Sequence, residues 1–287
     1  MKELDNELLE RIRALSKPLE PRPTEMGTRL VQLEGIEAVL FDIYGTLFIS
    51  AAGDIGVGLA VDSDLAFRSA METVGLPPRG EAAMLTEAIE EEHARKRALG
   101  IEYPEVDIID IWNRVLMKLG VPAAGSTLRR LALEYELRVN PVWPMPGLAE
   151  ILTGLRRKGM RLGLISNAQF FTPLLFPAFL DRSLDDLGFV SDFCIFSWQL
   201  GEAKPSRHLF DLAATALNAS AIPSERVLYL GNDCLNDLWP AGQVGFCTGL
   251  FAGDARSLRL REGDPRCSDV KPDCVFNHLE EILQVID

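Results

Sequence analysis

The feature that most constrains this chain is an alternation. Short, wholly apolar runs of strand length are separated by longer stretches with helical spacing, and each run stops abruptly at polar residues. The first, Ala38–Phe41, stops at a lone acid, Asp42, and the turn-forming Gly45 and Thr46 follow. An apolar run without polar alternation is the pattern of a strand covered on both faces. Farther along, a helix over Leu148–Lys158 leads into Met160–Ile165, helical sequence leads into Phe193–Phe196, a helix over Ser206–Leu217 leads into Val227–Leu230, and a short helix leads into Val244–Leu250. Strands alternating with helices predict an α/β fold with a mainly parallel sheet. Ligands of such sheets collect at the carboxyl ends of the strands.

One long stretch breaks the alternation. Asp62–Arg138 is charged and amphipathic with no strand signal, which predicts a helical insert. It is preceded by a glycine-rich stretch, Ala51–Gly58, read as a flexible flap, and closed by a proline-rich connector, Asn140–Gly147. Met1–Leu19 has helical spacing, and three prolines follow. The expected division is an appended helix and linker over residues 1–34, an α/β core over 35–48 and 144–287, and the helical insert over 49–143. With 47% hydrophobic residues in 287, the chain can fill such a core. A formal net charge of -13 argues against nucleic acid and against anionic membrane surfaces, and favours a small-molecule partner. No apolar run reaches the length of a membrane span, and the acidic Met1–Glu10 is no secretory leader. Five cysteines without a Cys-x-x-Cys pair suggest neither a disulfide framework nor a zinc site, so a reducing cytoplasm is expected. The apolar run Ala168–Leu180 is read as core, with a homodimer contact the default for any part left exposed.

The strand ends deliver a coherent set. They are Asp42, then Ser166 and Asn167, then Lys204 after the third strand, then Gly231–Asp237 with its two acids Asp233 and Asp237. Taken singly, Ser166-Asn167 is an ordinary helix cap and Lys204-Pro205 an ordinary helix start. Together, a carboxylate can act as nucleophile, a hydroxyl can hold an anionic oxygen, a lysine can neutralise charge, and further acids can hold a divalent cation. This order and spacing resembles the haloacid dehalogenase (HAD) superfamily, whose four motifs match Asp42-Ile43-Tyr44-Gly45-Thr46, Ser166, Lys204 and Asp233-x-x-x-Asp237. The resemblance implies a Rossmann-like core and makes the insert a cap that sets specificity. It also implies a covalent aspartyl intermediate on Asp42, with Tyr44, Thr46, Ser166, Asn167 and Lys204 in the catalytic set. Mg²⁺ would be held by Asp42, the main-chain carbonyl of Tyr44, Asp233 and Asp237.

Tyr44 departs from the phosphatase pattern. The superfamily's phosphatases usually carry a second aspartate there, to protonate the leaving oxygen and then activate water. A phenol with a reference pKa of about 10 is a poor substitute at neutral pH, and losing such a catalyst costs about 10² to 10⁴ in rate. Asp-x-Tyr-Gly-Thr instead resembles the opening motif of 2-haloacid dehalogenases, whose halide leaves without a proton. Two features oppose that reading: those enzymes have uncharged residues where this chain has Asp233, and the tyrosine before their third-motif lysine is Ala203 here. Three acids converging without a cation would also repel an anionic substrate, which makes Mg²⁺ their natural neutraliser. The sequence therefore favours a Mg-dependent phosphatase acting on a small phosphorylated metabolite. A 2-haloacid dehalogenase-like hydrolase and a slow phosphate-ligand binding protein are the alternatives. His93, Arg95, Lys96, Arg97 and Tyr103 of the insert are read mainly as a solvated face, and the arginine-rich Gly253–Arg266 as a surface loop.

Overall fold

A computed structural model describes residues 2–52 and 62–287. The stretch Ala51–Gly58 expected as a flap lies outside the described residues from position 53 onward. Among these residues eight strands run in chain order: β1 (Ala38–Phe41), β2 (Phe48–Ser50), β3 (Val142–Pro144), β4 (Arg161–Ser166), β5 (Phe189–Phe196), β6 (Val227–Gly231), β7 (Cys247–Phe251) and β8 (Cys274–Phe276). Six form one sheet in the order β5-β4-β1-β6-β7-β8. Every neighbouring pair in it is parallel. Numbered within the sheet this is 3-2-1-4-5-6, the doubly wound order whose direction reverses between β1 and β6.

The apolar continuity of β1 has the expected cause. All four residues are fully buried, Val39 and Phe41 in the core on one face and Ala38 and Leu40 in the core on the other. The same split recurs in β6, with Leu228 and Leu230 on one side and Val227 and Tyr229 on the other. The strand read as Val244–Leu250 starts later, at Cys247, because Val244 closes a short helix. The sequence reading also missed β8, whose three residues are too short to show a period.

Among the described residues, four helices lie between β2 and β3: α2 (Ser63–Thr73), α3 (Ala83–Ala98), α4 (Ile108–Lys118) and α5 (Gly125–Val139). They share an aromatic centre in which Phe67 stacks on Trp112 at 5.0 Å, and Tyr135 meets Trp112 edge-on at 5.6 Å. Antiparallel pairing of β2 with β3 ties the two ends of this insert together, and the ribbon straddles both expected boundaries. Core helices follow: α6 (Leu148–Arg157), α7 (Leu175–Leu180), α8 (Ser197–Leu200), α9 (Arg207–Ala219), α10 (Trp239–Gln243) and α11 (Ile282–Val285). The insert also touches the core through backbone bonds, from Ala203 N to the Tyr103 carbonyl at 2.8 Å and from Glu105 N to the Gly201 carbonyl at 3.0 Å.

The N-terminal stretch is packed against the rest of the chain. Helix α1 (Lys2–Leu15) buries Leu8 and Ile12 and lies against both α5 and α7. Residues beyond it run along β8, where Arg29 pairs with Val275. The apolar run after β4 is core, with Phe170, Phe171, Leu175 and Phe176 buried. Among the described residues no helix is long and apolar enough to cross a membrane.

Candidate active site

Asp42, Ser166 and Gly231 end three adjacent strands, β1, β4 and β6, at the point where the sheet order reverses. Asp42 Oδ1 accepts hydrogen bonds from Ser166 Oγ and from Lys204 Nζ, each at 2.8 Å. Its Oδ2 has no partner among the described residues, and Asp42 lines a small cavity of about 40 Å³. The lining comprises Asp42, Tyr44, Asn167, Lys204, Asn232, Asp233, Asn236, Asp237, Ser257 and Arg259. The predicted residues Asp42, Ser166, Lys204, Asp233 and Asp237 therefore come together.

Lys204 is buried between two carboxylates, with Nζ 2.8 Å from Asp42 and 2.5 Å from Asp237. Burial alone would lower its pKa, but those two charges override it and hold the ammonium above its usual range. Burial pushes Asp237 upward, as do Asp42 and Asp233, while Lys204 pulls it down. The hydrogen-bond pattern decides for the ionised form. Asp237 Oδ1 receives Lys204 Nζ with the Tyr229 hydroxyl 2.9 Å away, and Oδ2 receives the backbone N–H groups of Asn232 at 3.0 Å and Asp233 at 2.9 Å. A site surrounded by donors fits an acceptor-only carboxylate. Gly231 is required for this approach, because a Cβ there would lie 2.4 Å from Asp237 Cγ.

Asn167 and Thr46 take supporting places. The Asn167 amide clasps the backbone of Lys204, accepting from its N–H at 2.7 Å and donating to its carbonyl at 3.3 Å. Thr46 Oγ1 donates to Asn232 Oδ1 at 3.1 Å, and Asn232 Nδ2 donates to the Ser257 carbonyl at 2.6 Å. Gly45, at φ +80°, makes the tight turn between Asp42 and Thr46 and admits the Ser257 side chain, which a Cβ would meet at 2.4 Å. Tyr44 is buried, with its hydroxyl 3.0 Å from Thr172 Oγ1. Burial and the charge of Glu136 drive the phenol far above its usual pKa, so it stays protonated and engaged.

Arg259 and Arg261, in the stretch expected as a surface loop, enter this site. Asp233 and Arg259 form a parallel bridge: Arg259 N donates to the Asn232 carbonyl at 2.9 Å, and Cys234 N donates to the Arg259 carbonyl at 2.8 Å. Arg261 Nη2 then lies 2.6 Å from Asp233 Oδ2. The sequence offers no signal for this, because the bridge joins segments that share no motif. Lys204 thus meets Asp42 and Asp237, and Arg261 meets Asp233, while Arg259 lines the same cavity.

The donor set tests the expected Mg²⁺ directly. Asp233 Oδ1 caps the turn that follows, accepting from Leu235 N at 2.9 Å and Asn236 N at 3.2 Å. Its Oδ2 accepts from Asn236 Nδ2 and from Arg261. Asp237 is enclosed as described, so of the three acids only Asp42 offers a carboxylate oxygen without a donor. Among the described residues no three acidic, histidine or cysteine side chains are grouped to hold an ion. A small divalent cation needs bare oxygens in near-octahedral array, and the expected ligand set does not fit it as arranged.

In the insert, His93 lines a second, larger cavity of about 420 Å³ with Trp112, Tyr135, Glu136, Gln169 and Phe171. Arg95 pairs with Glu92, and Tyr103 accepts a hydrogen bond from Arg266 at 2.8 Å.

A family model for haloacid dehalogenase-like hydrolases matches residues 36–245. Among solved structures, a 2-haloacid dehalogenase from Pseudomonas syringae pv. Tomato is similar at TM-score 0.55 and 18% identity, over 87% of this chain and 97% of that one. CbbY from Rhodobacter sphaeroides in complex with phosphate is similar at TM-score 0.50 and 20% identity, over 86% and 96%. At these identities the likeness speaks for the fold. No curated protein sequence matches.

Proposed function

Because the chain belongs to the haloacid dehalogenase-like hydrolases, we propose that it cleaves a small anionic substrate through an ester on Asp42, with a leaving group that departs as a free anion and without a divalent cation. A 2-haloacid is the substrate class that meets those terms. The observation that supports this reading is the hydrogen-bond pattern around Asp42. One oxygen is fixed by Ser166 and Lys204 while the other has no partner among the described residues, and Asp42 lines the cavity.

Asp42 Oδ2 attacks the halogen-bearing carbon. A carbon–oxygen bond forms as the carbon–halogen pair leaves with the halide. Water then adds to Cγ of the ester, and the developing oxyanion falls on Oδ1, where the Ser166 hydroxyl and the Lys204 ammonium already donate. Cleavage of the Cγ–Oδ2 bond frees a 2-hydroxy acid, regenerates the carboxylate and releases one proton to solvent. No step asks Tyr44 for a proton. Ser257 Oγ, buried without a partner among the described residues, is the lining group suited to the substrate carboxylate.

The phosphatase reading keeps one observation in its favour, the charged and amide side chains that dominate the lining of the cavity. Without an acid at position 44 it is restricted to phosphates of good leaving groups. The test measures halide from 2-haloacids and phosphate from aryl and alkyl esters, each with EDTA and with Mg²⁺. A single turnover in ¹⁸O-water accompanies it. Halide release indifferent to EDTA, with label in the Asp42 peptide, is expected. Mg-dependent phosphate release without that label would overturn the reading, and release of neither product would make the chain a ligand-binding protein.

A further inference from the structure

We infer that Arg261 is a built-in counter-ion of Asp233, taking the place beside that carboxylate where a divalent cation would otherwise be drawn, and that together with the donors from Asn236 and Leu235 it keeps a cation out of the pocket. The inference deepens the reading of the same pocket and rests on it only for the pocket's being the reactive one; its test uses no substrate.

The guanidinium is placed by the backbone before its charge is considered. The two backbone bonds of the Asp233–Arg259 bridge hold the loop after β7 against the turn after β6. Two residues on, Arg261 adopts φ 55°, in the left-handed region that residues other than glycine avoid, and Asp264 N donates to its carbonyl at 2.8 Å to close a turn. From there Nη2 reaches Asp233 Oδ2 at 2.6 Å, and Nε lies 3.2 Å from both oxygens. A planar fork contacting both oxygens of a carboxylate is a geometry that lysine cannot copy and that gives up less hydration than an ammonium.

The oxygens that would greet a metal are otherwise present. Asp42 and Asn232 line the pocket, and among the described residues Asp42 Oδ2 has no donor and Asn232 Oδ1 accepts a single hydrogen bond, from Thr46, leaving a second lone pair. Asp233 lines the same pocket but shares its charge with Arg261. Removing the guanidinium leaves a carboxylate at the pocket with one fewer donor and one fewer positive charge beside it.

The experiment titrates the full-length protein with Mn²⁺, following the free-ion signal by electron paramagnetic resonance. Wild type, Arg261→Gln, Asp233→Asn and the double variant Arg261→Gln with Asp233→Asn are compared. Wild type is expected to show no saturable site at millimolar Mn²⁺. Arg261→Gln gains one, at least about tenfold tighter than any wild-type binding, and the double variant loses it. Wild-type binding that disappears in Asp233→Asn overturns the inference, as does a folded Arg261→Gln that gains nothing. Should Arg261→Gln fail to fold, Arg261→Met is titrated in its place: a gained site that Asp233→Asn removes supports the inference, and a folded variant that gains nothing overturns it.

Discussion

Replacing Lys204 with methionine gives the sharpest test of the site's electrostatics. The side chain volumes are similar, so the change removes a buried charge and two ion pairs with little loss of packing. Asp42 and Asp237 would remain, both buried and deprived of the cation 2.8 Å and 2.5 Å away. Breaking a buried pair by removing one partner costs about 3–5 kcal/mol. With an unfolding entropy of about 2.1 cal/mol/K per residue, a chain this long loses about 5–8 °C in Tm. The deficit should depend on pH, and its sign follows from Asp237. Without Lys204 to pull it down, burial and the neighbouring acids raise its folded pKa further above the unfolded value. Between those two values the folded variant holds the extra proton, so its stability rises as pH falls. Wild-type Lys204, whose pKa is raised, contributes fully throughout this range and fades only at alkaline pH. Scanning calorimetry at pH 8 and pH 5 should therefore find the larger deficit at pH 8. Adding Asp237→Asn to Lys204→Met should recover more than half of it. A Tm within 2 °C of wild type at pH 8, or equal deficits at both pH values, would refute the reasoning.

Asp42→Asn should abolish product release in either assay while near-UV circular dichroism stays native, since Asp237 still holds Lys204. Tyr44→Phe should change kcat less than about threefold and cost about 1 kcal/mol through the lost bond to Thr172. A drop of about 10² or more, the size of a general acid's contribution, would instead make Tyr44 the proton donor. Gly231→Ala should cost about 1–3 kcal/mol, read by urea unfolding, and lower the rate, because the new methyl displaces the carboxylate that anchors Lys204.

What the sequence disclosed was governed by local rules. Ala38–Phe41 declared its burial by composition, and a parallel sheet then obliged Asp42, Ser166 and Gly231 to share an edge. What it hid was which groups were already engaged. Asp233 looks like a metal ligand until it is seen capping its own turn and facing an arginine 28 positions away. Asn167 gives no sign in the sequence that its amide holds the backbone of Lys204. The arginines near Arg261 read as solvated because nothing in their order announces a bridge to the turn after β6. Helix α1 was visible by its period, but an amphipathic face does not name the surface that covers it.

That helix has a mechanical consequence. It reaches from the insert, where Arg11 pairs with Glu134 on α5, to the core, where Arg13 donates to the Ala178 carbonyl of α7 at 2.7 Å. If the β2–β3 ribbon is the hinge about which the insert swings, α1 is a tie-rod fixed on both sides of the joint. Wide opening would strip Leu8 and Ile12 from their contacts, at about 1.5–3 kcal/mol for each side chain exposed. Substrate should therefore enter by small shifts at the pocket mouth instead of by wholesale separation of the two parts. Small-angle scattering should find the radius of gyration unchanged by substrate in the whole chain, and larger and more variable once residues 1–16 are removed.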